Sequence, residues 1–231
     1  MRLRNFLYGV KMGIPVMIGF IPVAIAFAIM AMDAGLNTVE AISMSIFVFA
    51  GASQMMSVGM IAEGAGMLSI VIATLIMNLR HFIMSTCVFQ RMERTSATDK
   101  LICSFGVTDE SFAIFTTAEK ERCNKWFFLG VFISTYLSWV VGTAIGALAS
   151  AILPAVVSDS LGIALYAMFI ALLVPGVKKN IKILGVVIIT ALLNLGLGYV
   201  LPSSWALIVA TLVGAGVGVF IVPDTDEEVA Q

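Results

Sequence analysis

Charge is what this sequence most lacks. Asp, Glu, Lys and Arg make up 12% of its 231 residues, and it has a single histidine. A soluble domain carries about twice that share of charge. No soluble fold of this length can hide a 60% hydrophobic composition, because too much of a small domain is surface. The net charge of −1 says nothing about nucleic acid, but no basic face is present for it, and no nucleic-acid partner is expected. Three cysteines, Cys87, Cys103 and Cys123, show no metal-ligand spacing and read as small hydrophobes. There is no HExxH, P-loop or GxSxG motif, so neither an enzyme nor a cofactor or metal site is expected. Transport, if any, runs without an ATP site, down a solute or ion gradient. No cleavable signal follows the basic stretch Met1 to Lys11; the apolar run there continues for a full crossing.

What the chain does have is long apolar runs. A helix needs about 20 apolar residues to cross the hydrocarbon core. Seven segments qualify or nearly so: 13–32, 39–62, 65–90, 126–153, 160–177, 181–200 and 204–222. Backbone groups in lipid must be bonded within the segment, so an all-α polytopic bundle is the expected fold and a β-barrel is not. One transporter domain, 1–231, is expected. Residues 1–90 form a first half, 91–125 a polar or amphipathic connection, 126–222 a second half and 223–231 an acidic tail. Gly142-x-x-x-Gly146 and Gly214-x-x-x-Gly218 are spaced for close helix contacts within the chain.

Val71–Leu79 lies over Val187–Leu195 without gaps, with Thr74 over Thr190 and Asn78 over Asn194. The echo raises a three-plus-three inverted repeat with one extra helix, an arrangement common among secondary transporters. The positive-inside rule places the basic N-terminus, the 91–125 connection and the Lys178–Lys182 turn in the cytoplasm. That requires an even number of crossings before Arg91, yet three segments precede it. Either one of the three does not fully cross, or 101–118 is itself embedded. The first repair is preferred, because Phe49-Ala-Gly-Ala-Ser-Gln54 looks like a break in the second helix.

Polar groups inside a membrane are costly and are functional candidates for that reason. Three clusters qualify. In Phe49–Gln54, small residues precede a Gln in an apolar run. A break there frees N–H and C=O groups able to bind an amino acid's carboxylate and ammonium; a packing groove explains the same residues. In Asn78-Leu-Arg80-His81, His81 can carry a coupling proton, or Arg80 can be an interfacial side chain beside a structural His. In Thr108-Asp109-Glu110-Ser111, the acids sit in the first turn of a capped helix. That helix either lies at the membrane surface or supplies a partner for Arg80 or His81.

Taken in this order, Phe49-Ala-Gly-Ala-Ser-Gln54, Asn78-Leu-Arg-His81 and Thr108-Asp-Glu-Ser-Phe112 resemble the AzlC (YgaZ) family over about residues 8–200. Gly13-Ile-Pro15 and Met168–Pro175 add to the likeness. The family is the large subunit of branched-chain amino acid exporters. The resemblance implies export of valine, leucine, isoleucine or analogues from the bacterial inner membrane, driven by the proton gradient. It also implies a small hydrophobic membrane subunit of the AzlD (YgaH) type. The aromatic expected after Gln54 is Met55 here, and 204–222 carries no family marker. On this reading Phe49, Gly51, Ala52, Ser53, Gln54, Asn78, Pro175 and Asn194 bind substrate. Arg80, His81, Asp109 and Glu110 form the gate or proton relay, and the N-terminus is cytoplasmic. A passive channel for small solutes and a non-transporting scaffold for the small subunit remain as alternatives.

Overall fold

The computed structural model describes residues 2–92, 95–150 and 180–221, together with 170, 173, 174, 177 and 178. Every element among the described residues is helical. The chain divides into two compact units. The first is Met1–Gly64 with Thr74–Leu165, and the second is Ala65–Ala73 with Tyr166–Gln231.

Two long helices frame the first unit: α1 (Arg2–Asp33) and α8 (Lys125–Ala149). They run parallel, and small residues let them touch. A Cβ on Gly9 would strike the carbonyl of Phe127, and one on Gly130 the carbonyl of Phe6. Further along, a Cβ on Gly142 would lie 2.8 Å from that of Ala24, and one on Gly146 would lie 2.7 Å from the Ile25 carbonyl oxygen. The Gly142/Gly146 pair therefore seats α1. The α8 surface is split by face. Ile133, Leu137, Val141, Ile145 and Leu148 point outward, while Val131, Thr135, Trp139 and Thr143 are buried. Apolar-out and small-or-polar-in is the pattern of a helix solvated by lipid.

Three broken helix pairs fill the space beside this frame. The second expected segment divides into α2 (Thr38–Phe47) and α3 (Gly51–Ala62), at the break the small residues indicated. The third also divides, into α4 (Met67–Asn78) and α5 (Arg80–Arg91), which the sequence did not indicate. The break at Leu79 is mild: Leu79 stays in the helical region, and Leu79 N–H donates to Ile76 O at 3.2 Å. Met67–Arg91 is still long and apolar enough to cross a membrane, as are α1 and α8. The 91–125 connection is not simply a polar link. It holds α6 (Ala97–Phe105), α7 (Asp109–Thr117) and a short 3-10 turn, Lys120–Arg122.

The contacts fix the course of these helices. From Asp33 the chain turns into α2, which descends along α8. Ser45 meets Thr143, the Ile46 carbonyl meets the Tyr136 hydroxyl, and Phe49 meets Phe132. Then α3 turns back. Gly51 lies against Trp139, whereas Gln54 again reaches Ser45, and Ser53 and Ser57 pair with Asn78 and Thr74. α4–α5 then passes straight through, with Arg80 at Asp109 and Arg91 at the Thr116 carbonyl. α6 enters from the opposite end, where Asp99 holds Lys125 at 2.8 Å, and reaches Phe132 through Phe105. α7 returns to that end, where Phe115 packs on Phe127 and Phe128.

So α2–α3 and α6–α7 are both helical hairpins that reach the middle of α8 from its opposite ends. Among the described residues α1, Met67–Arg91 and α8 are long and apolar enough to cross a membrane, whereas α2 and α3 are each too short to do so.

In the second unit, α9 (Lys182–Leu197) and α10 (Ser203–Ile221) pack antiparallel. Thr190 fills the place where Gly214 has no side chain, and Val186 lies near Gly218. Both small-residue pairs thus serve contacts within the chain.

Two expected outcomes follow from this packing. Gly9→Leu should lower unfolding stability in detergent by about 1–3 kcal/mol, the usual cost of overpacking, whereas Gly19→Leu, whose Cβ meets open space, should not. Equal effects of the two would refute the close α1–α8 contact. The hydrogen bond from Lys125 holds the Asp99 carboxyl below its ordinary range. A carboxyl whose pKa is lowered by folding contributes stability above its unfolded pKa and loses it as pH falls through the folded one. Asp99→Asn should therefore flatten the acid limb of a stability–pH curve by lowering stability at neutral pH, with little change below the folded pKa of Asp99.

Candidate functional site

The three breaks lie at one level. Phe132 and Tyr136 sit about 10–16 Å along α8 from Lys125, at 1.5 Å per residue, near the middle of a helix about 37 Å long. Phe49 from the first hairpin tip and Phe105 from the second meet there, with centroids 6.3 Å apart. Both also contact Phe132 and Tyr136.

A helix that stops inside the membrane strands backbone groups, and water is not there to satisfy them. At the α2–α3 tip the backbone turns through Phe49 at φ 40, a left-handed conformation. It costs a bulky residue roughly 1–3 kcal/mol and persists only where the surroundings enforce it. They do so through a directed set of hydrogen bonds. Gln54, fully buried, accepts from Ala50 N–H through Oε1 at 3.2 Å and donates through Nε2 to Ser45 Oγ at 3.2 Å. Ser45 is thereby left to donate to Thr143 Oγ1 at 2.7 Å, and Thr143 donates to the Trp139 carbonyl at 2.9 Å. Ser53 donates to Ala50 O at 2.9 Å and accepts from Asn78 Nδ2 at 3.1 Å. Tyr136 donates to Ile46 O, a carbonyl left free by the end of α2.

The start of α3 keeps open capacity. Its N-cap, Ala50, has no side chain able to cap, and its first turn has no acid. The Gly51, Ala52 and Ser53 N–H groups have no acceptor among the described residues. Two buried polar atoms beside this turn are also unpartnered: the donor Trp139 Nε1, whose ring packs on Gly51, and the acceptor Asn78 Oδ1. A buried polar atom left unpaired costs about 1–3 kcal/mol, so such atoms in one place point to a missing polar partner.

The start of α7 is the opposite case. Thr108 and Ser111 form a full capping box, and Asp109 and Glu110 occupy the first turn. The sequence left a surface helix and a partner for Arg80 as alternatives. Capping is present, Thr108 and Ser111 are buried, and Asp109 pairs with Arg80 at 2.9 Å. Arg80 Nε remains unpartnered. Among the described residues neither His81 nor Glu110 enters an ion pair; both adjoin the pair in sequence.

The structure thus brings Phe49, Gly51, Ala52, Ser53, Gln54 and Asn78 together, with Arg80 and Asp109 at the adjoining break. Asn194 is at an exposed position of α9 in the second unit, and Pro175 lies outside the described residues. Sequence reasoning missed Ser45, Phe105, Phe132, Tyr136, Trp139 and Thr143. The density of hydroxyls at Ser134, Thr135, Ser138 and Thr143, in a helix otherwise apolar, was the available signal.

The family model described as AzlC protein matches residues 15–153. An "Uncharacterized membrane protein" of Archaeoglobus fulgidus is 36% identical over 176 residues, covering 75% of this chain and 76% of that one. The "Inner membrane protein YgaZ" of Escherichia coli (strain K12) is 31% identical over 184 residues, or 76% and 75% of the two chains. The "Branched-chain amino acid transport protein AzlC" of Bacillus subtilis (strain 168) is 31% identical over 135 residues, or 58% and 53%. No solved structure matches. The matched span runs from α1 through the three broken pairs to the end of α8, and this chain is a membrane protein that belongs to the AzlC family.

Proposed function

We propose that this chain is a secondary transporter that exports branched-chain amino acids, with substrate bound where the helix breaks meet. The observation that carries the reading is the unequal pair of helix starts. α3 begins uncapped and without acid, so its free N–H groups and the Trp139 indole favour a carboxylate. Asn78 Oδ1 is the acceptor suited to the ammonium, with the acidic start of α7 near it through the neighbouring Arg80. A zwitterion fits such a polarity. Phe49, Phe105, Phe132 and Tyr136 offer an apolar wall for its side chain. The printed name of the Bacillus subtilis relative supports the substrate class.

Arg80, Asp109, His81 and Glu110 are the groups we assign to the gate and to proton coupling. Loss of the Asp109 charge would release Arg80, and Glu110 and His81 adjoin the pair in sequence. The two basic ends, around Arg2–Arg4 and around Lys100–Lys125, lie on one side, opposite Asp33 and Glu63, which supports a cytoplasmic N-terminus by the positive-inside rule. A small AzlD/YgaH-type subunit is the partner implied by the family resemblance, and export runs from the cytoplasm.

The test is labelled valine entering inverted vesicles that hold the chain and its small subunit. Uptake should saturate, and an imposed pH gradient should raise it. Uptake that never saturates would sink the carrier reading in favour of a pore; saturable uptake indifferent to pH would sink proton coupling alone. Gln54→Ala should cut uptake by roughly tenfold or more, since it unties both Ala50 N–H and Ser45, each worth about 1–3 kcal/mol when left unpaired. Arg80→Ala, which strands Asp109, should do the same. Wild-type uptake in both variants would remove the breaks from the transport path.

A further inference from the structure

The two helical hairpins are related by more than their shape. Moving 58 positions along the chain carries the end of α1, Asp33, onto the end of α5, Arg91. The same step carries α2, Thr38–Phe47, onto α6, Ala97–Phe105, to within one residue, and the first residue of α3, Gly51, onto the first residue of α7, Asp109. A second step of 58 reaches Ala149, the end of α8. α1 and α8 run in one sense and α4–α5 in the other, so the direction reverses with each step. The hairpin sequences hardly agree: Phe47 with Phe105 and Ser53 with Ser111 are the identities between 33–62 and 91–120. Yet the two serines do one job. Ser53 donates to the carbonyl of its own helix's N-cap, Ala50, at 2.9 Å, and Ser111 to that of its N-cap, Thr108, at 3.2 Å. The echo between Val71–Leu79 and Val187–Leu195 has an offset of 116 positions, which is two such steps.

We propose that residues 1–62 and 63–120 are an inverted repeat, and that its two hairpin tips, Val48–Ala50 and Gly106–Thr108, are the alternating gates of the transport path. α2–α3 closes the site toward the end that carries Asp33 and Glu63. α6–α7 closes it toward the end that carries Lys125. The contact of Phe49 with Phe105 is the seam where the two gates meet. An inverted repeat can exchange the conformations of its halves, so opening one gate while closing the other needs no further moving part. The tips differ in how firmly they are held. Gly106–Thr108 is tied by the capping box and by Ser111 donating to Gly106 O at 2.8 Å, whereas Val48–Ala50 has Phe49 at φ 40 and an N-cap with no capping side chain of its own, held by Gln54 and Ser53. This inference rests on the chain being a transporter and not on which solute it carries.

The test uses sided labelling with a membrane-impermeant maleimide, in the full chain with Cys87, Cys103 and Cys123 replaced by serine. Gly35→Cys and Gly64→Cys, in the loops at the two ends of the α2–α3 hairpin, should label from the same side. Thr95→Cys and Glu119→Cys, at the ends of α6–α7, should both label from the other. Any hairpin whose two ends label from opposite sides overturns the repeat, and these loop variants do not disturb the packed tips. Ala50→Cys should then label from the Gly35 side and Val107→Cys from the Glu119 side. A saturating solute gradient should shift the two rates in opposite directions, by about tenfold for a change of 1.4 kcal/mol in the balance of states. Rates that move together, or tips that label from neither side while uptake proceeds, overturn the gates. That outcome leaves amino acid export standing, whereas loss of valine uptake with correct sided labelling sinks the substrate and spares the gates.

Discussion

The first unit depends on one constraint: backbone groups freed inside lipid must find partners in the protein. Each interruption of a helix leaves carbonyls on one side and N–H groups on the other, and in a medium without water each unpaired group costs several kcal/mol. Gln54, Ser45, Thr143, Ser53 and Tyr136 meet most of that demand at the first tip, and Thr108 with Ser111 at the second. Side chains with no place in an ordinary apolar helix are here what permits the chain to reverse direction halfway across. Among the described residues, the N–H groups of Gly51, Ala52 and Ser53, the Trp139 indole and the Asn78 side-chain carbonyl are left unpaired at the start of α3.

The parallel pair of α1 and α8 supplies the rigid wall. Gly9, Gly13, Gly142 and Gly146 bring the two backbones within reach of each other. Phe20 and Phe27 then close on Trp139 from α1, with centroids 5.3 and 6.1 Å away. Close packing of this kind stands in for the hydrophobic effect, which gives no preference between a leucine's neighbours in lipid. The first hairpin meets this wall through Phe49 on Phe132, Ser45 on Thr143 and the Ile46 carbonyl on Tyr136.

Much of this was legible beforehand, and the reasons are specific. The break at Phe49–Gln54 showed because four small residues and a glutamine are poor content for a lipid-facing run. The conflict between three apolar segments and the basic clusters on either side of them showed because lysine and arginine are so few. The break at Leu79 did not show: Asn78-Leu-Arg-His has no glycine or proline, and the bend is set by Ser53 across the gap. That 101–118 folds back as the hairpin α6–α7 did not show either. Its lysines and acids look like those of a surface connection, and the burial of Thr108 and Ser111 depends on partners far along the chain. Trp139 and the α8 hydroxyls were hidden for the same reason. A helix pattern tells which residues share a face, not what that face meets.

The parallel seating of α1 on α8 also bears on how the protein is made. Gly9 finds its neighbour at Phe127 and Gly130, more than a hundred residues later in synthesis. Parallel helices require an intervening return, so α1 must wait in the bilayer, its glycine face against lipid, while α4–α5 comes back. α2 and α3, of 10 and 12 residues, are each too short to span on their own. Of the wall they lean on, only α1 is there when they emerge. Until α8 arrives, Ser45 lacks Thr143 and the Ile46 carbonyl lacks Tyr136, so the first tip is only partly satisfied. Assembly of this fold is therefore a closing step, in which the last long helix of the unit settles two earlier pieces at once.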